Sequence, residues 1–105
     1  MPLRYTVGVK LPDAVTAERW LRWLRDGHVA DVMAGGATTA QVCRLDGEDH
    51  AFEVAYEFPS RESFAAYERD HAPRLRAEGL GLFPVESGVA YRRGTAEIID
   101  TRGRT

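Results

Sequence analysis

Two stretches of this chain repeat one another, and that repetition constrains the fold more than any other feature. Asp26-Gly27-His28-Val29-Ala30-Asp31-Val32 and Asp70-His71-Ala72-Pro73-Arg74-Leu75 each end an amphipathic segment with an acidic residue, a histidine and then H-x-x-x-aliphatic. Each histidine follows an aromatic pair at helical spacing, Trp20 and Trp23 in one case, Phe64 and Tyr67 in the other. Two such segments in a chain of 105 residues read as equivalent halves of one domain.

Around these segments the hydrophobic period changes. Leu3, Tyr5, Val7 and Val9 alternate with Arg4, Thr6, Gly8 and Lys10, which is the pattern of a strand with one apolar face. Pro12-Asp13 breaks it. From Ala14 to Arg25 the pattern turns helical, with Ala17, Trp20, Leu21, Leu24 and His28 on one side and Glu18, Arg19, Arg22 and Arg25 on the other. Gly27 is placed as the residue ending that helix, with one short turn after it over 29–34. Beyond Gly35-Gly36, a strand is predicted over 38–45, then a hairpin at Asp46-Gly47-Glu48-Asp49. The returning strand carries Phe52, Val54, Tyr56 and Phe58 on one face. Ser60 is the predicted N-cap of a second helix that buries Phe64, Tyr67, His71 and Leu75. Pro73 suits the first turn of a further helix that Gly79 would close, and a last strand is predicted over 86–98.

The order is β-α-β-β-α-β, which predicts an α+β, ferredoxin-like domain with an antiparallel four-stranded sheet in the order 4-1-3-2. Residues 1–99 form the single domain and residues 100–105 a polar tail. Helices cover one face of the sheet. The other face would carry Gly8, Ala55 and either Gly88 with Ala90 or Val89 with Tyr91, beside Arg4, Glu53 and Glu57. Arg4 and the glutamates fall on neighbouring strands, where they can pair. Small residues mixed with opposite charges suit a surface met by another sheet. A homodimer closing through this helix-free face is therefore expected.

Composition narrows the partners. A hydrophobic fraction of 44%, with four Phe, four Tyr and two Trp, excludes a disordered chain. A formal charge of −2 argues against nucleic acid, whose binders carry a basic face. No segment is long and apolar enough for a signal peptide or a membrane span, and Cys43 stands alone, so a cytoplasmic protein without membrane attachment is expected.

Four segments carry a family resemblance: Leu21-Arg22-Trp23-Leu24, His28 to Ala34, Val42-Cys43-Arg44-Leu45, and Tyr67 to Arg76. Together the chain resembles a bacterial family of small proteins catalogued as a domain of unknown function. That family is similar to the dimeric α+β barrel superfamily, which includes cofactor-free monooxygenases, haem-degrading enzymes, muconolactone isomerases and stress-responsive proteins. The first histidine motif of the family usually reads His-x-Pro, and Ala30 stands here at the proline position. The resemblance implies the fold, a dimer, and a cleft between sheet and helices.

Within that frame His28 is the candidate catalytic residue. An imidazole titrates near physiological pH, so a small environmental shift makes it an acid or a base. Asp26 or Asp31 can orient it, and Trp20 and Trp23 can wall a flat substrate. The competing reading has His28 bonding a free carbonyl at the helix end. His71 carries the same two readings, with Pro73 favouring the turn. Tyr5, Tyr56 and Tyr91 either line one cleft, where a phenol can hold a ligand oxygen, or belong to an ordinary aromatic core. The candidate ligand-binding set is thus Trp20, Trp23, Tyr56, His71 and Tyr91. Cys43 is expected to be buried and inert. No metal-ligand spacing and no cofactor motif is present, so no metal or cofactor is expected.

Two functions follow as expectations. One is a dimeric small-molecule-binding barrel, extending to a cofactor-independent enzyme acting on a planar hydrophobic substrate. The other is a non-catalytic interaction or stress-related module in which both histidines are structural.

Overall fold

Strand β1 (Leu3–Lys10) organises the structure, a computed structural model that describes residues 1–104. Its alternation buries Leu3, Tyr5 and Val9, and both of its edges are paired. On one side it runs antiparallel to β3 (Ala51–Phe58), with Tyr5 opposite Tyr56; on the other it runs antiparallel to β4 (Ala90–Glu97), with Val9 opposite Tyr91. Strand β2 (Thr39–Arg44) pairs with the outer edge of β3. The order β2-β3-β1-β4 is the predicted 4-1-3-2 order read from the opposite edge. The domain is α+β and ferredoxin-like.

All the helices pack on one face. Helix α1 (Ala14–Trp23) starts at Asp13, whose carboxylate accepts the Thr16 amide at 2.7 Å, and buries Ala17 and Trp20. The segment Leu24–His28 kinks at Gly27 and leads into α2 (Val29–Ala34). Helix α3 (Arg61–Asp70) starts at Ser60, whose hydroxyl accepts the Ser63 amide at 3.0 Å, as its position predicts. Helix α4 (Ala72–Leu82) follows after His71. The core between these helices and the sheet centres on Trp20, Phe52, Phe58, Leu3, Leu11 and Leu75, each essentially inaccessible to solvent.

Three local expectations change. Gly79 does not end α4, which continues to Leu82. A Cβ at Gly79 would lie 3.1 Å from the Trp23 ring, so this glycine makes room for an aromatic instead of stopping a helix. The last strand starts at Ala90 and not near Glu86, because Val85–Ser87 form a 3₁₀ turn closed by Gly88 at φ 97°. Cys43 is exposed, not buried. It lies on an edge strand opposite Glu53, on the face without helices.

That helix-free face carries Arg4, Thr6, Gly8 and Lys10 from β1 and Glu53, Ala55 and Glu57 from β3. Strand β4 adds Ala90, Arg92, Gly94 and Ala96, while Tyr91 turns toward the helices. Arg4 meets Glu53 at 3.5 Å across the strands. Residues 98–104 have no regular secondary structure; Thr105, the last residue of the predicted tail, lies outside the described residues. Among the described residues no helix is long and apolar enough to cross a membrane.

Candidate functional site

A break at Gly27, whose backbone leaves the helical region at φ 174° and ψ −27°, decides where His28 points, and it falls where the sequence places the end of the first helix. Residues five apart on an α-helix diverge to different sides, since each residue turns about 100°. Here the chain kinks at Gly27, the Val29 amide bonds the Leu24 carbonyl five residues back across the kink, and the imidazole of His28 stacks on Trp23 with centroids 4.0 Å apart and planes 20° apart. Trp23 in turn rests on Gly79 and beside Phe83, at 5.5 Å. The pair is therefore held by α4 as well as by its own helix.

His28 makes no capping bond. Its Nδ1 is buried without a hydrogen-bond partner, and its side chain does not cap α2. Burial pushes the imidazole down to about 4, against the smaller opposing effect of the Asp31 carboxylate. At neutral pH it is uncharged. Asp31 acts on it through charge, and Asp26 is exposed.

His28 lines a cavity of about 50 Å³ between helices and sheet. Trp20, Trp23, Leu24 and Val32 form its wall on the first helical half. The sheet supplies Tyr5, Val7 and Val9 from β1, Val54 and Tyr56 from β3, and Tyr91 and Arg93 from β4. Tyr67 of α3 and Leu75, Arg76, Gly79 and Leu80 of α4 close the remaining side. Leu80 and Arg93 are exposed, whereas Trp20, Tyr5 and Tyr56 are deeply buried.

Polar groups in this lining are few and deliberately held. Arg76 donates from Nη2 to the Tyr5 hydroxyl at 3.2 Å and to Glu68 at 3.0 Å, while its Nη1 meets the second Glu68 oxygen at 2.9 Å. This forked pairing fixes the guanidinium plane. Its Nε is nevertheless buried and unpartnered, like Nδ1 of His28. Burial raises the phenols: Tyr67 is pushed up to about 12, with the neighbouring Tyr5 adding to the effect, and Tyr56 and Tyr91 also lie above their ordinary values. These hydroxyls stay protonated at neutral pH. The Tyr91 hydroxyl is already committed, donating to the Phe83 carbonyl at 2.6 Å.

Of the residues singled out in the sequence, the cavity brings together Tyr5, Trp20, Trp23, His28, Tyr56 and Tyr91. His71 lies apart from it, at the junction of α3 and α4. There its ring lies parallel to that of Tyr67, 6.4 Å away, and both rings crowd Gly35. His71 caps neither backbone end with its side chain.

Among the described residues no cluster of three or more His, Cys, Asp or Glu side chains is arranged to hold a metal. Residues 3–98 match the family described as a domain of unknown function, DUF4286. The chain belongs to that family. No curated protein matches this DUF4286 chain in sequence. Solved structures match it in fold. A dimeric ferredoxin-like protein from an uncultured marine organism aligns with a TM-score of 0.75 at 13% identity, over 97% of this chain and 99% of that one. A second protein of the same description aligns at 0.68 with 15% identity, over 96% and 98%. SnoaB, a cofactor-independent oxygenase from Streptomyces nogalater, aligns at 0.69 with 10% identity, over 95% of each chain. At such identities the likeness is one of fold.

Arg76, Glu68, Arg93 and Tyr67 were not singled out as site residues by sequence reasoning. Nothing in the pattern separates Arg76 from Arg74, two residues earlier on the other flank of Leu75. Its partners lie eight and 71 residues away, across a helix break and on a different element. Gly79 did carry a signal, a glycine inside a helical run, which often marks close approach as well as termination.

Proposed function

We propose that this protein is a homodimeric small-molecule-binding α+β barrel. Its cavity takes a planar, largely apolar ligand, and His28 serves as proton carrier. One observation carries the reading: Nδ1 of His28 and Nε of Arg76 are both buried without partners, in two residues lining one cavity. Leaving a buried polar atom unpaired costs about 1–3 kcal/mol, so two around one space favour a site that a ligand or water completes.

The walls favour a flat ligand, since indole and phenol rings from several elements surround the cavity. The volume sets a condition. A dry apolar cavity of about 150 Å³ accepts benzene, and this one is about 50 Å³. Entry of a ring therefore requires Leu80 and Arg93, the exposed rim residues, to swing outward. The neutral imidazole can accept a hydrogen bond from an O–H of the bound ligand, and it takes the proton only as the negative charge left on the ligand beside it stabilises the imidazolium that burial alone disfavours, passing the proton on to solvent. Because burial disfavours imidazolium, the proton does not rest there. The absence of a capping bond at His28 weighs against a purely structural histidine.

The dimer would close through the helix-free face, where small residues sit among Arg4, Glu53 and Arg92. Two proteins of the same fold are described as dimeric. The exposed thiol of Cys43 suits a reducing cytoplasm.

Titration with flat aromatic probes tests the function, because both tryptophans line the cavity. Saturable quenching or a spectral shift is expected, and it should disappear in His28→Ala. Silence from every probe would contradict the reading.

A further inference from the structure

We infer that the ligand is an organic anion, held through an acidic oxygen, carboxylate or enolate-like phenolate, by Arg76 and Tyr5 inside the cavity and by Arg93 at its mouth. This deepens the proposed function and rests on it.

The first ground is charge. Two arginines line the cavity and no carboxylate does. The charge of Arg76 is matched by Glu68, but Arg93 has no ion-pair partner among the described residues. Its guanidinium lies over the Tyr91 ring at 5.8 Å, exposed at the edge of the cavity it lines. The lining thus carries one uncompensated positive charge, on a chain whose formal charge is −2. A cationic ligand would meet no counter-charge there, and an anionic one would.

The second ground is hydrogen-bond direction. The Tyr5 hydroxyl accepts a bond from Arg76, so its own proton remains available to donate. The buried Nε of Arg76 is a second unspent donor, because a guanidinium has no acceptor role. Donors that Glu68 holds in place and that lack an acceptor call for a ligand that supplies one. An ionised oxygen satisfies this demand about twice as strongly as a neutral carbonyl. Glu68 and Tyr5 are therefore positioning groups for Arg76, and Arg93 selects for charge.

Three probes of similar shape separate the possibilities: benzoate, 4-nitrophenolate at a pH where it is ionised, and neutral benzamide. They are titrated into the full-length protein by tryptophan fluorescence and amide NMR shifts at low salt. Benzoate or 4-nitrophenolate should bind about 10-fold more tightly than benzamide, and the stronger of the two identifies which acidic oxygen the site prefers. Arg93→Gln should bring the ratio of anion to benzamide affinity close to one, as should Arg76→Met. Should Arg76→Met fail to fold, Arg93→Gln, at an exposed position, carries the test alone. Equal binding of benzamide and the anions would overturn the inference while leaving the cavity reading intact. Binding of none of the three would bring down both.

Discussion

His28 and His71 end corresponding segments of the two halves, yet the fold uses them differently. Each follows an aromatic residue of its helix, and each aromatic packs on a glycine from the other half: Trp23 on Gly79, Tyr67 on Gly35. In the second half the crowding is tighter. A Cβ at Gly35 would fall 2.8 Å from Tyr67 and 3.1 Å from His71, against 3.1 Å from Trp23 at Gly79. His71 thus fills a close-packed joint between α2 and α3. His28 faces a cavity with a bare nitrogen. The difference follows the position of the break: in the first half it falls at Gly27, one residue before His28, whereas in the second it falls at His71 itself and Pro73 begins a new helix. Equal sequence signatures therefore lead to one residue packed in a joint and one that lines a cavity with an unpartnered nitrogen.

Substituting the two glycines is the strongest way to break this contrast. Gly35→Ala should cost about 2–3 kcal/mol in urea denaturation, because the new methyl would fall 2.8 Å from the buried Tyr67 ring and 3.1 Å from the half-buried His71 ring, forcing one of them to shift. A loss below about 0.5 kcal/mol would mean that the joint is loose and the comparison misjudged.

Acid should separate wild type from His28→Phe. The folded state holds the imidazole at about 4, below its ordinary value, so the unfolded chain binds the extra proton first. Stability from this group is fully present above about pH 6.5 and is lost as pH falls toward 4. We expect wild type to lose about 2 kcal/mol more than His28→Phe across that window, after allowing for residual solvent access. Equal acid sensitivity of the two proteins would remove the basis for a desolvated His28.

At neutral pH the same variant should gain a little. Replacing an unpartnered buried nitrogen by a carbon ring of like shape is expected to be neutral or to stabilise by about 1 kcal/mol, while ligand response disappears. A drop of more than about 1 kcal/mol would instead mark His28 as a structural group.

Gly79→Ala should have the smallest effect, within about 1 kcal/mol, since better helix propensity offsets the pressure on Trp23. Its readout is the Trp23 environment: the emission maximum should move while the melting temperature barely does. An unchanged spectrum would contradict the contact.

Much of this architecture was readable from local pattern. The alternation of Leu3 to Lys10 and of Phe52 to Phe58, the cap Ser60, and the breaks at Pro12-Asp13 and Pro73 all act within a few residues, and each appears where expected. The late start of β4 also has a local signal that the strand pattern masked: Pro84, Ser87 and Gly88 make a 3₁₀ turn in which the Ser87 hydroxyl bonds the Pro84 carbonyl. The site was legible in part. Aromatic spacing pointed to Trp20, Trp23 and His28, but the Glu68–Arg76–Tyr5 chain joins three elements and leaves no periodic trace. Exposure of Cys43 also escaped, since an apolar neighbour such as Val42 suits an edge strand as well as an interior one.

The most direct test is an NMR pH titration of the imidazole ring protons, with His28→Phe assigning the resonance. The account predicts a His28 midpoint near 4. A midpoint near the ordinary histidine value of about 6.5 would place the ring in solvent and contradict the cavity on which the account depends.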